Sequence, residues 1–273
     1  MDNVRLMRLT GGDRRVVVIA VDHGEFMGPI PGLVDLPRTL GMIDPTVDGV
    51  LLSPAMIPRA VGLFGFKGAP LAVARLNWSS VYCFQWGYQL AATVAAFSPK
   101  EAVRLGADAV LISLTLDTGN ERQDAANVAV FRKLCAEAKE LGLPVIGEVY
   151  PAKSDMLSPE ELHSKVLVGA RIVAELGADL IKTFYTVRFA EVVEASPVPV
   201  LGLGAEKRPT QLEALQLAAD QVAAGARGVV FGRNAFQVPN PTAFQRALCD
   251  VVKHDLQPEK AVQKYGLIDT QLE

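Results

Sequence analysis

The stretch Leu176-Gly177-Ala178-Asp179-Leu180-Ile181-Lys182-Thr183-Phe184-Tyr185-Thr186 decides the fold of this chain. Its first four residues read as the end of a helix, because a glycine accepts the left-handed conformation that stops a helix and turns the backbone away. The residues from Leu180 read as a short buried strand. The helix-ending phrase recurs at Leu105-Gly106-Ala107-Asp108, before the apolar run Ala109 to Asp117, and at Ala224-Gly225-Ala226-Arg227, before Gly228 to Arg233. A helix–glycine–strand unit used three times predicts alternating β and α elements around a parallel sheet.

Working outward, five more runs have the same character: Val16 to Asp22, Gly49 to Ser53, Leu71 to Asn77, Val145 to Tyr150 and Val198 to Gly204. All are rich in valine, leucine and isoleucine, and are bounded by Gly, Pro or Asp, as strands buried on both faces are. Amphipathic stretches lie between them, most clearly Asp124 to Leu141, Pro159 to Leu176 and Gln211 to Ala224. Ser158, Pro159 and Glu161 form a helix-start signature. Eight such units in 273 residues predict a single (β/α)8 TIM barrel over residues 1–273, with a C-terminal helical tail over about 241–273. A doubly wound open sheet is the alternative. It is disfavoured because no Gly-rich phosphate turn follows the first strand.

Composition narrows the function classes. Half the residues are apolar and the net charge is −3, which gives no basic stripe for nucleic acid. No apolar segment is long enough to span a bilayer, and the polar start does not open a secretory signal. Three scattered cysteines, Cys83, Cys135 and Cys249, predict a reducing compartment and a cytoplasmic location. His23, His163 and His254 are far apart, with no Cys or His pair at metal-ligand spacing, so neither metal nor cofactor is expected.

Barrel active sites gather at the C-terminal ends of the strands, so the polar residues there carry the functional reading. Lys182 is a cation within an apolar strand. A lysine shielded from water loses basicity, and a neutral amine attacks carbonyls, which points to Schiff-base chemistry. Alternation places Asp22 inward on the first strand and His23 away from it, in a structural hydrogen-bonding role. On the fifth strand it places Glu148 and Tyr150 inward: Tyr150 as a proton carrier, Glu148 as a positioning residue or salt-bridge partner of Lys182. Arg75 and Asn77 on the third strand and Ser113, Thr115 and Asp117 on the fourth make the upper interior polar and are candidates to meet substrate hydroxyls. The segment Trp78 to Trp86 is expected to shape the far end of the pocket. Gly204 and Ala205 after the seventh strand, with Gly232 and Arg233 after the eighth, form an anion cradle where backbone N–H groups approach a phosphate and Arg233 adds a charge.

Four phrases carry a resemblance: Val21-Asp22-His23-Gly24 with Gly28-Pro29, Val149-Tyr150-Pro151, Ile181-Lys182-Thr183-Phe184-Tyr185-Thr186, and Gly232-Arg233-Asn234-Ala235-Phe236-Gln237. In this order, over nearly the whole chain, they resemble the Schiff-base aldolases typified by archaeal-type class I fructose-bisphosphate aldolase. That group includes the autoinducer-2 thiolase and the aldolase of the alternative aromatic pathway, within the deoxyribose-phosphate aldolase-like superfamily. The resemblance implies that Lys182 forms the imine, that Asp22 and Tyr150 handle protons, and that Gly204, Ala205, Gly232 and Arg233 hold a phosphate. It also implies a homo-oligomer, a decamer in relatives. Two positions depart from the group: Ala205 stands for its second glycine and Glu206 for its proline. The implied activity is metal-independent cleavage or formation of a carbon–carbon bond in a phosphorylated ketose, as part of carbohydrate metabolism. Thiolase-type acyl transfer, a condensing aldolase of aromatic or secondary metabolism, and a silent sugar-phosphate binder are the rivals.

Overall fold

A computed structural model describes residues 3–11, 14–88 and 90–268. Eight parallel strands close into a barrel: β1 (Val16–Ala20), β2 (Gly49–Leu52), β3 (Leu71–Arg75), β4 (Ala109–Leu114), β5 (Val145–Val149), β6 (Leu180–Thr183), β7 (Val200–Leu203) and β8 (Gly228–Phe231). They run in chain order around the barrel, and β8 pairs back onto β1 through Val16↔Gly228 and Ile19↔Phe231. The predicted barrel is therefore the observed one, with strands that end one to three residues before the predicted limits. Arg75, Glu148 and Lys182 lie within the last two residues of their strands, and Asp22 and Tyr150 one or two residues beyond theirs. Among the described residues, no helix is long and apolar enough to cross a membrane.

Period-two alternation divides the apolar residues into two cores. Val16, Val18, Leu51, Val73, Leu111, Ile146, Leu180, Leu201 and Val230 fill the lower half of the barrel. Leu9 joins them from the N-terminal helix Val4–Thr10, which closes the N-terminal end of the barrel. Val17, Ile19, Val50, Ile112 and Val229 face outward to the helices, whose contributions include Phe131, Val173 and Phe244. Helix Pro159–Glu175 begins with the predicted capping box on Ser158 and Glu161. It lies so close to β5 that a Cβ on Gly147 would sit 2.2 Å from Val173. Only glycine allows that approach, and the next residue along the strand is Glu148.

The aspartate that ends the helix-to-strand phrase has a role in the sheet. Asp108 accepts from the Ala72 N–H and Asp179 from the Val145 N–H, each the first free donor of the neighbouring strand. Asp48 does the same for Val17. These carboxylates satisfy strand-end donors that would otherwise lack a partner.

The chain departs from a plain barrel at the mouth. The third strand stops at Arg75, and Asn77–Ser79 pairs antiparallel with Thr93–Ala95 to form a small hairpin over the rim. Two helices, Pro241–His254 and Pro258–Tyr265, close the described chain, the second with Ala261 buried in the outer core. The expected tail continues to 273, and residues 269–273 lie outside the described residues.

Candidate active site

Going up the barrel, the inward positions change from aliphatic to charged within one residue pair. Register pairs Glu148 with Lys182 and Ser113 with Glu148. Asp22, Arg75, Glu148 and Lys182 meet in one layer, each at most 7% exposed. Arg75 donates through Nε to Asp22 Oδ2 at 2.5 Å and through Nη2 to Glu148 Oε2 at 2.7 Å. Glu148 Oε1 lies 2.5 Å from Lys182 Nζ, and Tyr82 donates to Glu148 Oε2 at 2.7 Å. Two carboxylates and two cations balance. Burying four charges carries a large desolvation cost, which mutual pairing with good hydrogen-bond geometry offsets.

The electrostatics follow from that arrangement. Burial opposes the charged form of Glu148, but Arg75 and Lys182 outweigh it and hold the carboxyl below its ordinary range. Burial likewise opposes Asp22, yet Arg75 and Lys182 bring it down to about 2. Tyr150 behaves oppositely: burial pushes its phenol up to about 12, so at neutral pH it carries a proton to give. Its ring is held edge-on between Tyr82, at 4.6 Å, and Phe184, at 4.9 Å. Of the roles expected for Glu148, the salt bridge to Lys182 is present, so the amine that the burial argument expects to be neutral sits in an ion pair. Its counter-ion is the positioning carboxylate Glu148, so attack on a carbonyl requires the proton to move first.

A cavity of about 620 Å³ opens above this layer. Asp22, Arg75, Glu148, Tyr150, Lys182, Gly204, Ala205, Gly232 and Arg233 all line it. At the β7–β8 side the loops are tied together by Asn234, 2% exposed. Its side chain donates to the carbonyls of Gly204 (2.8 Å) and Glu206 (2.9 Å) and accepts from the Arg208 N–H (2.7 Å). Arg233 donates to the Ala205 carbonyl at 3.1 Å, and its buried Nε has no hydrogen-bond partner among the described residues. Ala205 has φ of 50°, a left-handed backbone that suits the glycine it replaces. A Cβ on Gly232 would meet His23 Cε1 at 2.4 Å, so that glycine is fixed by packing.

Several expectations change here. His23, expected to face the helical layer or a neighbouring loop, lines the cavity, edge-on to Phe236. Its Nδ1 lies 3.8 Å from Asp22 and makes no hydrogen bond among the described residues. Burial lowers its imidazole to about 4, so the ring is neutral. Asn77, Ser113 and Thr115 are tied up in hydrogen bonds: Asn77 exchanges bonds with the Ser113 backbone and accepts from Ser113 Oγ, and Thr115 donates to the Tyr150 carbonyl. Asp117 pairs with Lys165. None of the four lines the cavity. Sequence reasoning missed Phe26 and covered Tyr82 only as part of the segment expected to shape the far end of the pocket; their rings flank the Arg75 guanidinium at 5.1 and 4.9 Å. Tyr82 sits in a short helical turn after the hairpin strand, where no strand alternation announces which way a side chain points.

The DeoC/LacD family aldolase model matches residues 16–238. The 2-amino-3,7-dideoxy-D-threo-hept-6-ulosonate synthase of Halobacterium salinarum is 33% identical, over 97% of this chain and 96% of its own. The 2-amino-4,5-dihydroxy-6-oxo-7-(phosphonooxy)heptanoate synthase of Streptomyces griseus is 30% identical, over 92% and 89%. Among solved structures, an archaeal fructose 1,6-bisphosphate aldolase superimposes with a TM-score of 0.78 at 27% identity, covering 92% of this chain and 99% of that one. With the match running from β1 to beyond β8, the chain belongs to the DeoC/LacD family of aldolases and has the class I aldolase barrel of its archaeal fructose-bisphosphate relatives.

Proposed function

We propose that this aldolase forms or cleaves the carbon–carbon bond of a phosphorylated ketose through an imine on Lys182. The observation that carries the reading is the pairing of Lys182 Nζ with Glu148 at 2.5 Å on the floor of a cavity that Tyr150, a protonated phenol, also lines. The Streptomyces griseus relative is named for a product with a 6-oxo group beside a phosphonooxy-bearing carbon. A phosphorylated ketone of that kind suits the Arg233 end of this cavity.

In the condensing direction, Glu148 takes the ammonium proton of Lys182. The amine nitrogen bonds to the ketone carbon; the carbonyl oxygen takes one proton from nitrogen and the other back from Glu148, leaves as water, and an iminium remains. Asp22, ionised at neutral pH, removes a proton from the adjacent carbon, and the electron pair becomes an enamine. The enamine carbon bonds to the aldehyde carbon while the aldehyde oxygen takes the Tyr150 proton. Water then attacks the iminium and gives a proton to Glu148, which returns it to the departing amine, and the proton held by Asp22 returns to Tyr150. The imine is the electron sink throughout. A phenol that keeps its proton at rest can donate to the developing alkoxide without prior ionisation, and in cleavage the same group takes that proton back. The test is turnover of a panel of phosphorylated ketoses, read as aldehyde release, by wild type and Lys182→Ala. Loss of all release in the variant is expected; retained release would place the chemistry elsewhere.

A further inference from the structure

The lysine cavity does not end at Tyr150. A second cleft of about 340 Å³ adjoins it, and the two share Phe84, Tyr150, Ser154 and Asp155 as walls. That volume is near the lower end of small-ligand pockets, which start at roughly 300 Å³. The cleft lies between the rim segment after Ser79 and the loop that follows Tyr150. The phenol that serves the aldehyde oxygen in the proposed reaction thus stands at the junction, and an aldehyde presented to Tyr150 has room to extend its tail past it.

The two ends of this combined space differ in chemistry. The β7–β8 end carries two arginines, Arg208 and Arg233, against one carboxylate, Glu206. In the side cleft, Lys153 and Asp155 cancel, and the remaining walls include Val81, Phe84, Tyr88 and Met156. Phe84, Tyr88 and Met156 are 51%, 54% and 77% exposed. Large apolar side chains scattered singly over a surface mean little, but gathered at the mouth of a site they mark something that binds there. Aromatic walls offer contact area and edge or face packing to a ring or alkyl chain. A second phosphate would find one lysine already opposed by a carboxylate.

We propose that the side cleft is the acceptor subsite, and that it takes an aldehyde with an uncharged aryl or alkyl tail. This makes the product a ketose monophosphate with an apolar far end, in contrast to a bisphosphate. The inference rests on the Lys182 imine reading, and the experiment separates the two. Dihydroxyacetone phosphate serves as donor probe, with 3-phenylpropanal, glyceraldehyde and glyceraldehyde 3-phosphate as acceptors, and borohydride trapping of the donor alone is run in parallel. The expected result is trapping on Lys182 together with kcat/KM for 3-phenylpropanal at least about tenfold above that for glyceraldehyde 3-phosphate, the range one apolar subsite supplies. Met156→Lys places a cation in the cleft at an exposed position and is expected to invert that ratio. Donor trapping in the variant reports whether its imine site is intact. Trapping with equal or better use of glyceraldehyde 3-phosphate overturns the subsite and leaves the imine reading standing. No trapping overturns the imine reading and the subsite with it. A Met156→Lys protein with an unchanged acceptor ratio but a changed oligomeric mass assigns the apolar patch to a subunit contact and also overturns the subsite.

Discussion

Glu148→Gln probes the charged layer with the least change in shape. The wild-type carboxylate accepts from Arg75 and Tyr82 at 2.7 Å and faces Lys182 at 2.5 Å, 1% exposed. An amide keeps the volume but removes the charge and points an N–H pair at one of those donors. The layer then holds Arg75 and Lys182 against Asp22 alone, a net buried positive charge. Removing one partner of a buried pair costs about 3–5 kcal/mol. At this chain length roughly 2 °C of Tm follows each kcal/mol, so Tm falls by roughly 6–10 °C. Arg75→Met leaves the opposite imbalance, two carboxylates facing one lysine. The double variant restores neutrality, so it should be less destabilised than the sum of the singles by about 2 kcal/mol. The sign of the pH dependence is fixed as well. The Glu148 carboxyl is held below its ordinary 4.5, so its stabilisation is full above that pH and is lost as pH falls below it. The Tm gap between wild type and Glu148→Gln is therefore widest near pH 7 and narrows in acid. Calorimetry on the four proteins at pH 7 and pH 4 reads all of this. A Glu148→Gln protein that melts within 2 °C of wild type, or a strictly additive double, would refute the coupled layer.

Three further predictions concern its surroundings. Both carboxylate oxygens of Glu25 are buried without partners among the described residues, and burial raises the group to about 8 from 4.5. Stability should thus fall as pH climbs from 4.5 to 8, and Glu25→Gln should be more stable than wild type at pH 8.5 by on the order of 3 kcal/mol yet equal at pH 4, measured by urea unfolding. Ala205→Gly relieves a left-handed alanine (φ 50°) on the cavity wall. The strain of about 1–2 kcal/mol outweighs the extra chain entropy of glycine, for a net gain of about 0.5 kcal/mol. Tighter binding of inorganic phosphate, read as a larger phosphate-induced rise in Tm, is expected with it. Asn234→Ala breaks the three hydrogen bonds that join the β7 and β8 loops. A loss of about 2–3 kcal/mol and a KM that rises more than kcat falls are expected, from thermal melts and steady-state kinetics.

The barrel was legible because its information is local. A glycine that ends a helix, an aspartate, and a run of β-branched and aliphatic residues state one β/α unit without reference to the rest of the chain. Strand alternation carried that reading into the site and put Asp22, Arg75, Glu148, Tyr150 and Lys182 in one cavity. It failed where the chain leaves the ladder. Asn77 continues the inward rhythm of β3 in sequence, but it turns into the hairpin and bonds the Ser113 backbone. Tyr82 and Phe26 reach Arg75 from short helical turns, where direction is set by tertiary packing. His23 was read outward from alternation, yet β1 ends at Ala20 and the following turn swings its ring into the cavity. The Lys182–Glu148 pair was among the sequence readings, but an unpaired amine was equally consistent with an apolar strand; only the register Glu148↔Lys182 distinguishes them.

The central claim is that Lys182 is the residue that forms the imine. Borohydride reduction in the presence of dihydroxyacetone phosphate, followed by peptide mass analysis, tests it most directly. The account predicts one donor adduct per chain, on the peptide that carries Lys182, and none in Lys182→Ala. An adduct on another lysine, or no adduct in the wild type, would contradict it.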